Sequence, residues 1–275
     1  MRKFIRNNPL AAAGILIWAL FILAAILAPL LSPYDPILQD LTARHAAPSA
    51  AHPFGTDHLG RDVLSRVIYG ARISIPSGLL VVALSCVFGS LYGAVAGYFG
   101  KAVDEILMRV ADIVLSFPGI LLAMSLAAAL GKSVFNAIFA IAIVSWPKYA
   151  RLMRGLVLSV REAEYVTSER AIGENRFHIL IHTVIPNCMA SSLVLASTDI
   201  GTAILTFAGL SFLGMGAVPP TPEWGYMVSD GVGIMQYWWV SFFPGVSIFL
   251  VSIGANFIGD ALRDIMDPRM KTQAS

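Results

Sequence analysis

The stretch that decides the fold runs from Glu164 to Asn187, EYVTSERAIGENRFHILIHTVIPN, between two long apolar segments. From residue 177 onward its apolar residues recur along one helical face, which indicates an amphipathic helix; they are Phe177, Leu180, Ile181, Val184 and Ile185. The Gly-Glu-Asn sequence at 173–175 favours a sharp turn after a charged helix over 161–172. The sequence therefore predicts two short helices outside the bilayer, the second ending at Pro186.

The rest of the chain has the composition of a helical membrane protein. Of its 275 residues, 57% are hydrophobic and only 13% are charged, with a mean hydropathy of +0.73, whereas a soluble domain carries about 25% charged residues. A helix needs about 20 apolar residues to cross the bilayer, and six segments meet this need: 10–32, 74–99, 106–130, 134–150, 188–215 and 239–259. The first is too long for a signal peptide, whose apolar region covers about 7–15 residues. The net charge of +2 gives no support for a nucleic-acid partner.

The distribution of basic residues predicts the orientation of these spans. If the N-terminus is cytoplasmic, most of the 19 Lys and Arg residues fall on the cytoplasmic side, including Lys148, Arg151 and Arg154. Those left outside are Arg44, Arg61, Arg66, Arg72 and Lys132. This asymmetry follows the positive-inside rule, so both termini and the stretch 164–187 are predicted to be cytoplasmic.

Small residues and prolines predict how the spans pack. Gly89, Gly93 and Gly97 recur every four residues, which predicts a close contact between the second span and another helix. Prolines lie in or near four spans and are expected to kink or end helices there; they are Pro29, Pro118, Pro147 and Pro244.

The longest outside segment, 33–73, divides into a Pro- and Ala-rich loop and a helical second part. Apolar residues recur at helical spacing from Val63, which predicts a short amphipathic helix on the outer interface that leads into the second span. Asp62 and Arg66 have the i,i+4 spacing of an ion pair.

Two acidic residues lie inside predicted spans, where a charge is costly and by default suggests function. Asp112, near the inner end of the third span, is predicted to pair with Arg109. Asp199 lies about 17 Å into its helix and has no obvious partner there. Two interpretations stay open for Asp199, a position on the substrate pathway or a buried polar contact between helices.

Other motifs carry no chemistry. Gly-Lys-Ser at 131–133 lacks the glycine that a phosphate-binding loop needs five residues earlier. His178 and His182 have chelating spacing on a helix, but no further ligand lies near them in the sequence. The outer-loop histidines are expected to be ordinary solvated residues; they are His45, His52 and His58. We therefore predict no catalytic residues and no metal site.

The stretch 164–187 resembles the cytoplasmic coupling loop of type I ABC importer permeases. Its Gly173 and Pro186 match the glycine and proline of that family, and its "YV" and "RAIG" also fit. Thr167-Ser168-Glu169 stands where the family has Glu-Ala-Ala, and Thr183 and Ile185 replace Ile and Leu. Four further strings are similar to the dipeptide, oligopeptide and nickel permease subfamily, so that the resemblance covers essentially the whole chain: 52–74, 208–216, 222–231 and 259–269.

The resemblance implies an all-α, polytopic fold with six transmembrane helices and cytoplasmic coupling helices. It divides the chain into an N-terminal segment with the first span and an extracytoplasmic loop (1–73), a five-helix core (74–262) and a cytoplasmic tail (263–275). The implied partners are a second permease, two cytoplasmic ATPases that bind the ATP, an extracytoplasmic solute-binding protein and membrane lipid. The chain itself would be neither an enzyme nor a holder of a cofactor.

The resemblance also implies a bacterial cytoplasmic-membrane protein that imports peptides, with nickel chelates or glutathione-like peptides as alternative substrates. A stand-alone secondary transporter has less support, because no inverted repeat is evident. A membrane-embedded enzyme lacks a catalytic constellation. The predicted ATPase-coupling residues are Glu164, Tyr165, Val166, Glu169, Arg170, Ala171, Gly173, Phe177 and Pro186, and the predicted pathway residue is Asp199.

Overall fold

The computed structural model describes residues 8–266, and the basic residues at both chain ends that entered the orientation argument lie outside this range. Long helices dominate it, and a single isolated bridge pairs Thr56 with Asp62. The helices are α1 (Pro9–Ile26), α2 (Ala28–Leu31), α3 (Val63–Phe99), α4 (Lys101–Leu115), α5 (Gly119–Leu130), α6 (Val134–Val160), α7 (Glu164–Ala171), α8 (Arg176–Ile179), α9 (Ile185–Phe212), α10 (Trp224–Val232) and α11 (Trp239–Met266).

Within residues 8–266, four helices are long and apolar enough to cross a membrane, or five if α4 and α5 form one span. The expected third span, 106–130, is two helices bent by 89° around Ser116–Pro118. Proline disfavours the helical conformation for the residue before it, which explains why the helix breaks at Phe117. The expected fourth span lies in α6, which does not qualify because Lys148, Arg151 and Arg154 interrupt its second half. The count of six spans is thus not reproduced by length and composition alone.

The three glycines at 89, 93 and 97 bring α3 against α6. A Cβ added at Gly93 would lie 2.8 Å from Ala150 Cα, and one at Gly97 would lie 2.9 Å from the Arg154 carbonyl oxygen. The predicted close helix contact is therefore confirmed. At the other side of the bundle α1 packs on α11, where the Trp18 indole donates a 2.9 Å hydrogen bond to the Val251 carbonyl.

The helix predicted to start at Val63 does start there, but it does not lie separately on the interface. It is the first part of the 37-residue α3, and Val63, Val67 and Ala71 are buried against α10 and α11. The predicted Asp62–Arg66 ion pair is wrong. The Asp62 side chain instead caps α3 by accepting a 2.8 Å hydrogen bond from Ser65 N–H, because the first N–H groups of a helix have no acceptor within the helix.

The predicted end of the amphipathic helix at Pro186 is also wrong. A π-helical turn, Leu180–Val184, joins α8 to α9, so that residues 176–212 form one continuous helix. Proline lacks an N–H and its ring collides with the carbonyl four residues earlier. The wider π turn before Pro186 relieves this collision. The two expected domain boundaries, at 73/74 and 262/263, fall inside the continuous helices α3 and α11, and the division itself stays a prediction.

Candidate functional site

The helix pair is defined here as residues 164–184, which comprise α7, α8, the turn between them and the π turn Leu180–Val184, and it stands at the end of the bundle where α3 and α6 finish. Gly173 adopts φ +86°, a left-handed conformation that glycine takes without penalty. Its N–H donates to Arg170 O, and the next N–H, of Glu174, donates to Glu169 O, each at 3.1 Å. This is the Schellman arrangement that ends a helix. Asn175 then caps α8 with a 2.8 Å bond from Phe177 N–H.

The helix pair is anchored to the bundle by its own apolar core. Val166, Ile179 and Val184 are fully buried and pack with Met153 and Val157 of α6. The apolar stripe seen in the sequence is therefore only partly exposed. One part of it packs inward against α6, and the other part faces outward. Burying three such side chains stabilises the contact by several kcal/mol, at about 1.5–3 kcal/mol each, so the helix pair moves with α6 and α9.

A polar contact links α7 to the π turn. The Thr183 hydroxyl lies 2.9 and 3.0 Å from the two carboxylate oxygens of Glu169 and donates to them. Both residues depart from the pattern of the coupling loop in the sequence. They pair with each other, so the two departures together form a charge-assisted hydrogen bond.

Four large apolar side chains of the helix pair face outward, and we call them the apolar patch. They are Tyr165, Ile172, Phe177 and Ile181, which are 46%, 82%, 62% and 55% exposed. Phe177 also contacts the Phe99 ring at the end of α3, with centroids 5.4 Å apart.

The structure distributes the predicted coupling residues over three environments. Tyr165 and Phe177 belong to the apolar patch, whereas Val166 is fully buried and supports the patch from beneath. Glu164, Arg170, Ala171, Gly173 and Pro186 are exposed, and Glu169 is half-buried by its bond to Thr183. The prediction omitted Ile172 and Ile181. Ile172 directly precedes the Gly173 turn, where α7 ends and can no longer bury an apolar side chain. This position next to the glycine is the signal that could have identified Ile172.

Asp199 finds its partners on another helix. It accepts a 2.7 Å hydrogen bond from the Tyr149 hydroxyl and forms an ion pair with Lys148, both on α6. Lys148 therefore lies at the middle of α6 and not in a cytoplasmic loop. This geometry matches the second interpretation of Asp199, a polar contact between helices, and does not test the pathway interpretation.

The pair predicted for Asp112 is wrong, because its carboxylate contacts Arg151 of α6 at 2.7 Å and not Arg109. Within 8–266 no group of three or more His, Cys, Asp and Glu residues could hold a metal ion. The outer-loop histidines are half-buried and partnered, contrary to expectation. His52 contacts Asp62 at 2.9 Å, His58 lies 3.8 Å from Asp230, and His45 stacks on the Tyr237 ring.

At the opposite end of α3 the chain forms a second structure, which we call the cap and define as residues 33–66 and 214–238. Its buried cations are Arg61 and Arg66, each 1% exposed. Arg61 contacts Asp57 at 2.6 Å and Asp230 at 3.4 Å. Arg66 contacts Asp57 at 3.6 Å and donates to the Pro36 carbonyl at 3.0 Å. Charges removed from water in this way persist only when paired.

A buried carboxylate holds the start of α10 in the cap. Glu223 accepts hydrogen bonds from the Ser74 and Ser211 hydroxyls and from the backbone N–H groups of Gly225 and Tyr226. Burial raises the pKa of the Glu223 carboxyl. The hydrogen bonds act in the opposite direction, because they favour its charged form, but burial has the larger effect. Glu223 thereby ties the cap to α3 and α9.

Comparison with known families adds two matches. Residues 89–272 match the family described as "Binding-protein-dependent transport system inner membrane component". Residues 1–48 match the "N-terminal TM domain of oligopeptide transport permease C". Together these matches reach from the first predicted span through the helix pair to the end of α11.

Individual relatives cover nearly the whole chain. The probable D,D-dipeptide transport system permease protein DdpC of Escherichia coli (strain K12) is 46% identical over 96% of this chain and 89% of that protein. The dipeptide transport system permease protein DppC of Alkalihalophilus pseudofirmus is 45% identical over 98% and 89%. The glutathione transport system permease protein GsiD of Pectobacterium atrosepticum is 40% identical over 98% and 90%.

Proposed function

Because this chain belongs to the family of binding-protein-dependent transport system inner membrane components, we propose that it is a permease subunit of an ATP-driven importer of di- or oligopeptides in the bacterial cytoplasmic membrane. The names of two relatives support this cargo, since both specify dipeptides. The relative named for glutathione keeps a glutathione-like peptide as the alternative. ATP is bound and hydrolysed by separate partner subunits, and this chain is a transport component without a cofactor of its own.

The main support for the proposal is the apolar patch. It lies at the end of the helix bundle, and charged residues lie at the same end. Large apolar side chains grouped outside a core mark a contact surface. Glu164, Arg170 and Glu174 lie around the patch, which gives it the apolar centre and polar rim of a protein interface. We assign the patch to a cytoplasmic ATPase, and the orientation with both termini in the cytoplasm follows from this assignment and from the distribution of basic residues.

The contacts of the helix pair suggest how force would reach the pore. The helix 176–212 is continuous from the patch to Asp199, roughly 33 Å away at 1.5 Å per residue. The buried contacts of Val166, Ile179 and Val184 prevent the pair from moving alone. ATPase closure would therefore move α6 and α9 as one body, the rigid-element motion typical of alternating access.

The remaining partners follow from the importer class. A second, similar permease completes the pore, and the apolar residues on the outer side of the bent α4–α5 pair are available to it or to lipid; they include Ile106, Ile113, Phe117 and Leu121. An extracytoplasmic solute-binding protein delivers the peptide to the cap. The family description, which names dependence on a binding protein, supports this partner.

The decisive experiment replaces one residue of the apolar patch. Phe177→Ser, in the chain co-expressed with its partner subunits, should reduce ATPase co-purification at least about 30-fold, since central apolar residues of interfaces often contribute 2 kcal/mol or more. The matched control is Leu41→Ser in the cap, because Leu41 and Phe177 are both 62% exposed. Uptake of a labelled dipeptide and of a labelled nickel–peptide chelate, with glutathione as a competitor, is measured in parallel.

The controls make the result specific. Leu41→Ser should keep the ATPases, and both variants should reach the membrane in normal amounts. If Phe177→Ser still holds the ATPases and transports normally, the coupling assignment is wrong. Saturable uptake of the nickel–peptide chelate with no saturable uptake of the labelled dipeptide would overturn the peptide cargo while leaving the coupling role intact.

We also propose that Asp199 lies on the substrate pathway as well as between α6 and α9. The Lys148–Asp199 pair is not fully buried, since the Lys148 side chain is 39% exposed. Asp199→Asn should lower uptake of a free-amine peptide about tenfold if the carboxylate contacts it. Asp104→Asn is the control, because Asp104 is also ion-paired and 15% exposed, compared with 14% for Asp199. Unchanged uptake in Asp199→Asn removes it from the pathway.

A further inference from the structure

A cleft of about 240 Å³ opens where the ends of α3 and α6 meet the helix pair. Three arginines, one carboxylate and two aromatic rings line it: Arg161, Arg170, Arg176, Glu162, Tyr98 and Phe99. Three cations against one acid leave an excess of positive charge. The proposed ATPase contact uses the apolar patch and Arg170 at its rim, and it gives no role to the other residues of this cleft.

The three guanidinium groups differ in how they are held. Arg161 donates to the Gly97 carbonyl at 2.7 Å and to Glu162 at 3.0 Å, so its position is fixed. The Arg170 guanidinium lies 5.2 Å from the centre of the Tyr98 ring. Among residues 8–266 neither Arg170 nor Arg176 forms an ion pair. Their donors are therefore available to a ligand.

The Tyr98 hydroxyl supplies the second, independent observation. Tyr98 is only 7% exposed, and its buried hydroxyl has no hydrogen-bond partner within the described part of the chain. Leaving a buried hydroxyl unpaired is costly, and native proteins rarely do so without a partner from outside. A group that accepts hydrogen bonds from Tyr98 and from the arginines would satisfy all of them.

We propose that this cleft binds a phosphate group at the inner surface of the membrane. Guanidinium forks match phosphate oxygens in geometry and charge better than other side chains do. The three acceptor oxygens of a phosphate can accept hydrogen bonds from Arg170, from Arg176 and from the Tyr98 hydroxyl. The phosphate belongs either to the headgroup of an anionic lipid or to a free anion. When bound, it draws α7 and α8 toward the end of α3 and stiffens the helix pair.

The test measures binding to the purified full chain in neutral detergent. The probes are short-chain phosphatidylglycerol, short-chain phosphatidylcholine and inorganic phosphate, titrated against the wild type, Arg176→Gln and Tyr98→Phe. Arg109→Gln is the matched control, because Arg109 is an exposed arginine on α4 that does not line the cleft. We expect Arg176→Gln to weaken binding about tenfold and Tyr98→Phe severalfold, as expected for the loss of a charge-assisted bond and a neutral bond.

The three probes distinguish the two possible sources of the phosphate group. Binding of phosphatidylglycerol over both other probes identifies a lipid headgroup, and equal binding of inorganic phosphate identifies a free anion. Tyr98→Phe should weaken the ligand without lowering the thermal stability of the ligand-free chain, since it removes an unpaired hydroxyl. If both cleft variants bind like Arg109→Gln, the proposal is overturned. It is also overturned if no probe binds the wild type while Arg176→Gln releases the ATPases, because an acidic protein side chain then occupies the cleft.

Discussion

The two ends of α3 hold positive charge in opposite ways. At its start, in the cap, the Arg61 and Arg66 guanidinium groups are almost completely buried and share the carboxylate of Asp57. At its end, beside the helix pair, Arg170 and Arg176 are exposed and form no ion pair among residues 8–266. Buried, paired charges fix one geometry at high cost if a partner is lost, whereas exposed charges leave a surface free to contact something else. The cap is therefore completed internally, and the helix pair is completed by partners.

The largest effect should come from removing the acid that the two buried arginines share. Asp57→Ala leaves Arg61 with the more distant Asp230 and leaves Arg66 without a close carboxylate. We expect the chain to lose about 3–5 kcal/mol of stability, seen as a lower midpoint in detergent-induced unfolding. Asp112→Ala, which breaks the exposed ion pair with Arg151, is the control and should cost less than about 1 kcal/mol. Equal losses in the two variants would contradict the contrast between the two ends.

The sequence predicted the helix pair better than the cap, and the reason is physical. The Gly173 turn and the exposed Phe177 depend on local signals, because a glycine after a charged helix and a regular apolar stripe act over a few residues. The cap depends on contacts that are distant in the chain, such as the Arg61–Asp230 pair. Spacing suggested the wrong partners for Arg66 and Asp112, because i,i+4 or i,i+3 neighbours lost to groups on other segments.

The spans show the same limit. The starts of α1 and α11 agree with the predicted spans to within one residue, but α11 continues to Met266, seven residues beyond the predicted end at 259. A kink or helix end was predicted at Pro118, and the bend between α4 and α5 lies there, but its angle of 89° was not predicted, because proline alone does not set the angle. The partner of Asp199 was also out of reach, since Tyr149 and Lys148 meet it only when α6 and α9 pack.

A smaller effect is expected at the contact between the two departures from the coupling-loop pattern. Thr183→Val keeps the shape of the side chain but removes the hydroxyl that bonds Glu169. The loss should be about 1.5 kcal/mol, the lower end for a hydrogen bond to a charged group, because Glu169 is only half-buried and water can replace part of it. We expect faster hydrogen exchange in α7, with the cap unchanged.

The control for Thr183→Val is Thr167→Val on α7 itself. Thr167 is exposed, and its hydroxyl donates locally to the Glu164 carbonyl at 2.9 Å, so its loss should leave exchange in α7 nearly unchanged. A double variant, Glu169→Ala with Thr183→Val, should be no less stable than Thr183→Val alone, because the carboxylate then no longer needs a partner. Additive losses would show that the two residues act separately.

The smallest effect compares two glycines that have equally open surroundings. A Cβ at Gly173 or at Gly155 would meet no atom within 4 Å, so any change in stability comes from the backbone. Gly173 has φ +86°, where alanine costs about 1 kcal/mol, whereas Gly155 lies inside α6, where alanine gains up to about 1 kcal/mol. Hydrogen exchange at the Gly173 and Glu174 amides, which form the Schellman bonds, should accelerate severalfold in Gly173→Ala and stay constant in Gly155→Ala. If the change in stability had the same sign in both variants, the turn would not need a left-handed residue. The helix pair would then be held by its buried contacts alone.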